Sequence, residues 1–215
     1  MKKFFVALCI LTIMLNFVGC SVDNQTNTNA NINNSFVKEQ NYGLVFNTTQ
    51  KQFINNYNNN LEKLSDYGSI NLSDYLKRDE GTGRFNTVTS ERFIYNEPIT
   101  SSYIAILKDK KSDYVTSVYL MLKTYTELSD LSKSEWFIYG KIIQAINPQM
   151  SEDNINEIIG YIHNSQAMST YKNNMVFYAI PSLNGIILGV DALDEFEYTK
   201  IVNKWLDSEM KFKFA

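Results

Sequence analysis

Beyond residue 20 the chain contains no cysteine, because both of its two cysteines, Cys9 and Cys20, fall at the start. Disulfides and thiol chemistry are thereby excluded from everything that follows, and packing must hold the fold. Histidine is reduced to His163 alone. No Gly-x-Ser-x-Gly or His-Glu-x-x-His motif accompanies it, so hydrolase and zinc-peptidase chemistries lack their usual residues. An excess of positive charge is also missing. With a formal net charge of −3 and no polybasic face, the chain does not offer the basic surface that binding to nucleic-acid phosphates requires.

What the chain does have is a globular composition, 44% hydrophobic and 13% aromatic, which supports a sizeable core despite many asparagines. Its first twenty residues are organised differently. Lys2 and Lys3 precede the apolar run Phe4–Phe17, which is short for a bilayer span, and Val18-Gly19-Cys20 follows. That order is how a secretory signal peptide reads. The junction at Gly19 and Cys20 resembles the lipobox of bacterial lipoproteins, with Phe17 standing where an aliphatic residue is usual. The resemblance implies cleavage after Gly19, lipidation of Cys20 on sulfur and anchoring at the extracytoplasmic face of the membrane. It covers residues 1–20 and implies no activity. The asparagine, lysine, isoleucine and tyrosine bias is similar to that of AT-rich Gram-positive lipoproteins, while Ser21 leaves an outer-membrane address open.

The expected organisation is therefore a signal peptide over 1–19, a lipidated cysteine and polar tether over 20–41, and one globular domain over 42–215. Ser21–Gln40 is rich in asparagine and threonine and lacks periodicity, so it cannot offset its own ordering entropy. As a flexible chain it would reach roughly 25 Å.

Within the domain, Thr49-x-x-Gln52 predicts a capped helix over about 50–64, with Phe53, Tyr57, Leu61 and Leu64 on one face. Strands are expected over 85–95, 103–108 and 114–122, with Lys77–Arg84 as an exposed loop. Ser132-x-x-Glu135 opens a second helix carrying Trp136, Tyr139, Ile142, Ile143 and Ile146, which Pro148 ends. Ser151 caps a third, with Ile155, Ile158, Ile159 and Ile162 inward. Strands over 175–183 and 186–190 flank Asn184-Gly185, a type I′ turn dipeptide, and a last helix spans about 193–209. The sum predicts an α+β fold: an antiparallel sheet of about five strands with helices mainly on one face. Ile142, Ile159 and Ile187 are expected in its core.

Candidate chemical groups have plainer explanations close by. His163 ends a helix, where a positive imidazole is favoured, and a surface or capping role suffices. Gly81-Thr82-Gly83 lacks the Gly-Lys-Ser/Thr ending of a phosphate loop. Asp109 and Asp113, or Asp191, Asp194 and Glu195, could supply oxygen ligands, yet without the calcium-loop spacing they read as solvated loop and helix-start carboxylates. Asp79 or Glu80 with Glu91 or Glu97 could form a glycosidase pair if their separation suited. The sequence thus assigns no catalytic residue, metal or cofactor. The leading expectation is a non-catalytic envelope protein that binds a protein or cell-wall glycan at the outer membrane face. A solute-binding lipoprotein, a phage-exclusion or immunity lipoprotein and a glycan-cleaving enzyme are the alternatives.

Overall fold

The computed structural model describes residues 36–40, 43–62, 69–100, 102–123, 125, 127–165, 168–182 and 185–213. The lipobox-like junction at Gly19 and Cys20 lies outside the described residues, as does the polar segment up to residue 35. The chain is α+β. In order it forms β1 (Val37–Gln40), β2 (Gly43–Phe46), α1 (Gln50–Glu62), β3 (Lys77–Gly81), β4 (Ser90–Asn96), β5 (Tyr103–Lys108) and β6 (Val115–Leu122). There follow α2 (Lys133–Ile146), α3 (Glu152–Ser165), β7 (Ser169–Lys172), β8 (Met175–Ser182), β9 (Gly185–Ala192) and α4 (Glu195–Lys213).

The main sheet has seven antiparallel strands in the order β3-β4-β5-β6-β9-β8-β7, with β1 and β2 forming a separate hairpin. Five were expected. The two extra strands are the edges, which hydrophobic patterning cannot detect. Lys77–Gly81 is charged and largely exposed, which blunts an edge against intermolecular pairing. Ser169–Lys172 is short and joins β8 through Asn173-Asn174, both at positive φ as a type I′ turn demands. At the other hairpin Ser182 faces Gly185, so Gly185 is a paired strand residue, while Asn184 lies outside the described residues. Val37–Gln40 corrects the tether boundary: it pairs with β2, and Val37 is buried in the core. Phe85–Val88, expected as the start of a strand, is instead a loop.

Helix starts follow their caps. Thr49 and Gln52 exchange hydrogen bonds at 2.8 and 3.2 Å, Ser132 and Glu135 form a full capping box, and Ser151 Oγ accepts from Asn154 N–H. Strand alternation then makes two faces. Phe93, Tyr95, Ile104, Ile106, Val118 and Leu120 meet α1, α2 and α3 in the main core, together with alternate residues of β8 and β9. The opposite face carries Val176, Tyr178 and Ile180, which pack on Phe85 and on Tyr198 and Ile201 of α4. Three helices on one face and one on the other match the expected asymmetry. β9 lies between β6 and β8 and is buried on both faces, as its apolar run predicts. Ile142 is fully buried, whereas Ile159 and Ile187 are only half-buried and so depart from expectation.

This order carries the chain from β6 across the sheet through α2 and α3 to the far edge, and back by β7 and β8 to β9. The helical pair therefore lies over the sheet centre. Tyr139 of α2 reaches into it: its hydroxyl donates to the Gly189 carbonyl at 2.7 Å and accepts from Tyr178 N–H at 3.1 Å.

Candidate functional site

Of the carboxylates singled out above, Asp79, Glu80 and Glu91 come together on β3 and β4, where Glu80 stands opposite Glu91, while Glu97 lies just beyond the far end of β4; each is engaged by neighbours. Asp79 accepts from Arg92 at 2.8 Å and from Lys77 at 2.7 Å, and those two bonds hold its carboxyl far below the ordinary carboxylate range. Glu80 pairs with Lys110 at 2.7 Å. Glu91 stands between Arg78 at 2.6 Å and Lys108 at 3.4 Å, and the Arg78 bond lowers its pKa. Buried Glu97 accepts the Tyr57 hydroxyl at 3.0 Å, Ile99 N–H at 2.9 Å, and Thr100 N–H and Oγ1 at 2.6 and 2.7 Å. A glycosidase pair needs one carboxyl held as acid and another free to attack or to activate water. Here every member is occupied by cations or by its own turn.

Asp109, expected to be solvated, is buried and closes its loop through Lys111 N–H and Ser112 Oγ. Asp113 pairs with Lys108, and Asp194 caps α4 by accepting from Glu197 N–H at 2.9 Å. Asp191 is the clear correction. It is not a loop carboxylate but a fully buried strand residue on β9. One oxygen accepts from the Ser117 and Tyr178 hydroxyls, the latter at 3.0 Å; the other accepts from Phe85 and Asn86 N–H at 2.6 and 2.9 Å. Burial pushes its pKa up, while these four donors act in the opposite direction. A Cβ at Gly83 would lie 2.5 Å from this carboxylate, so glycine lets the loop close over it. Gly189 similarly leaves room for the Tyr178 ring to cross β9. With all four acceptor sites filled and no exposure, Asp191 fastens a loop to the sheet.

The concave surface of interest lies instead on the outer side of α2 and α3, where the two antiparallel helices leave a groove of ≈ 520 Å³. Lys133, Trp136, Phe137, Gly140, Lys141 and Gln144 line one wall. Glu152, Ile155, Asn156, Ile159, Gly160 and His163 line the other. Both sets fall at i, i+3, i+4, i+7, i+8 and i+11, which is one helix face. Gly140 sits close to Ile155 and Ile159, so the floor is shallow and apolar at mid-length. At one end the His163 ring stands edge-on to Trp136 with centroids 5.4 Å apart. Lys133 is one turn from Trp136, while Gln144 and Glu152 mark the other end, beside the connecting turn. Phe137 is 40% exposed on the rim with Lys141 Nζ 5.1 Å from its ring centre.

Sequence reasoning placed Trp136 in the core stripe and His163 at a helix end. The structure confirms both positions and also makes them neighbours. The groove was illegible because it arises from the spacing of two helices rather than from either alone. Among the described residues, no group of histidine, cysteine, aspartate or glutamate is placed to hold a metal ion, and no helix is long and apolar enough to cross a membrane. No family model, curated protein or solved structure matches the chain.

Proposed function

We propose that this chain is a lipid-anchored protein of the bacterial cell envelope that acts by binding, with its α+β domain held at the outer face of the membrane and a protein or cell-wall component docking in the α2–α3 groove. The observation that carries the reading is the order of the first twenty residues: two lysines, a short apolar run, then Gly19-Cys20. The groove supports the binding half, since an apolar concavity with a few polar groups is the usual form of a ligand site. A single acyl chain holds a protein only marginally, so stable anchoring needs the two or three chains typical of lipoproteins.

The test is metabolic labelling with an alkyne-bearing fatty acid in cells that express the wild type or Cys20→Ala. The wild type should be labelled and sediment with membranes, whereas Cys20→Ala should be unlabelled and either unprocessed or released. A processed Cys20→Ala protein that stays on the membrane would overturn the anchor.

A further inference from the structure

Phe196 is the most exposed large apolar side chain among the described residues, at 75%. It stands in the first turn of α4, and the core does not use it, because Tyr198 and Ile201 turn the inner side of that helix onto the sheet. The outer side carries Phe196, Thr199, Lys200, Asn203 and Lys204, all exposed and spaced i, i+3, i+4, i+7 and i+8. Lys200 bonds Glu197 at 3.2 Å, whereas Lys204 has no ion pair among the described residues. An aromatic ring with lysines one and two turns away suits the headgroup layer of a membrane, the ring below the phosphates and the ammonium groups among them.

The place where the N-terminal segment joins the fold points to the same surface. The chain enters at β1, and its partner β2 is tied to the end of β9 by the Asn86 amide, which donates to the Leu44 carbonyl at 3.3 Å and to the Ala192 carbonyl at 2.8 Å. Ala192 is followed almost at once by α4. An anchor carried by residues before β1 is therefore joined at the end of the sheet where Phe196 stands. The exposed apolar residues Leu72, Tyr75 and Leu76 precede β3, at the opposite end of the strands.

We infer that the outer side of α4 is the membrane-facing surface of the domain, with Phe196 seated among the headgroups of the lipid bilayer and Lys200 and Lys204 against their phosphates. This rests on the reading of Cys20 as the anchor and adds the orientation in which the domain is held. The surface is not polybasic, and Glu195 shares it, so a free protein would bind lipid weakly through it. Tethering changes that balance. A short flexible link presents a second contact at an effective concentration on the order of mM, at which a weak contact is populated. The consequence is directional: α2 and α3 pack on the opposite face of the sheet from α4, so a domain resting on α4 turns the α2–α3 groove away from the bilayer.

The experiment uses the full-length protein, extracted from cells and reconstituted in vesicles of phosphatidylcholine and phosphatidylglycerol in equal parts. A fluorophore is attached to Thr199→Cys on α4, to Asn156→Cys in the groove or to Leu76→Cys before β3, and wild type taken through the same labelling gives the background. Flotation with the vesicles reports the anchor. Quenching by lipids that carry a nitroxide at the headgroup reports the orientation. The Thr199→Cys label should be quenched and the other two should not. Adding Phe196→Ser should lower the ratio of membrane-apposed to free domain about tenfold, the low end for burial of a phenylalanine side chain. Lys204→Gln should lower it about fivefold, the worth of one lysine near an anionic surface. Leu76→Ser should leave it unchanged, and because all three substituted positions are exposed, their thermal unfolding should match wild type. A floating protein whose Thr199→Cys label is unquenched, whose Asn156→Cys label is quenched as strongly, or which is insensitive to Phe196→Ser would overturn the orientation and leave the anchor standing. A protein that does not float would overturn both.

Discussion

Asp79 and Asp191 lie on the same face of one sheet and are neutralised in opposite ways. At the β3 edge, water is close and cations are cheap to place, so Asp79 takes Arg92 and Lys77, and its neighbours Glu80 and Glu91 take Lys110, Arg78 and Lys108. In the centre, a cation beside Asp191 would itself have to be stripped of water, a cost of several kcal/mol per ion. The fold supplies neutral donors instead. Two of them, Phe85 and Asn86 N–H, belong to a loop whose backbone has no ladder partner there. The buried charge thus solves a problem that the irregular loop creates, since buried N–H groups must find an acceptor. Glu97 repeats the device with Tyr57 and the turn at Ile99 and Thr100; Glu135 repeats it with Tyr125 and Ser132. Each of these carboxylates takes a tyrosine hydroxyl together with backbone N–H groups.

The strongest way to break this comparison is Asp191→Ala. It leaves two backbone N–H groups and two hydroxyls without their acceptor, at about 1–3 kcal/mol for each that stays unsatisfied. Because hydroxyls can rotate to other partners and amides cannot, we expect a loss of roughly 3–5 kcal/mol in urea unfolding, with faster hydrogen exchange at Phe85 and Asn86. A loss under about 1 kcal/mol would mean that the loop does not depend on the carboxylate. Next come Tyr178→Phe and Tyr57→Phe. Each removes one donor from a buried carboxylate and keeps the ring, so about 1–2 kcal/mol is expected. Tyr125→Phe, at a half-buried position, should cost less than either.

From sequence alone Asp191 reads as a solvated carboxylate, although one signal of its burial is there. Asp191 directly follows the run Ile186–Val190 and precedes Ala192, and a carboxylate that continues a run buried on both faces must itself be buried and satisfied. What could not be read was the donor set, because Ser117, Phe85 and Tyr178 come from three separate segments. The capping boxes were legible because they are local, with donor and acceptor three residues apart. So were α2, α3 and the central position of β9, whose patterns reflect burial directly. The edge strands escaped because Lys77–Gly81 and Ser169–Lys172 bury little, and their pairing rests on backbone bonds that carry no side-chain signature. Val37 escaped for another reason: Phe36 and Val37 are only two apolar residues after a long polar run, and tertiary contact gives them their place at the core. The groove needed the register of two helices.

The smallest effect sharpens the comparison most, since it turns on sign. Asp79→Asn should cost no more than about 1 kcal/mol, the range for partly exposed ion pairs, and added salt should shrink it further. Its pH dependence should oppose that of Asp191. The Asp79 carboxyl is depressed by Arg92 and Lys77, so as acid is added the unfolded chain takes up that proton first, near the ordinary value of 3.8. The advantage of wild type over Asp79→Asn is therefore present above that value and lost as pH falls through the lower folded one. For Asp191, burial raises the folded value above 3.8, so the native state takes up the proton first. The advantage of wild type over Asp191→Asn should then grow as pH falls from neutrality toward 4 and decline as pH rises through the folded value. Urea midpoints of the three proteins from pH 7 to pH 3 decide it. If the Asp191 difference shrinks with acid, as the Asp79 difference should, the four hydrogen bonds outweigh desolvation, and the centre of the sheet holds its carboxylate charged as firmly as the edge does.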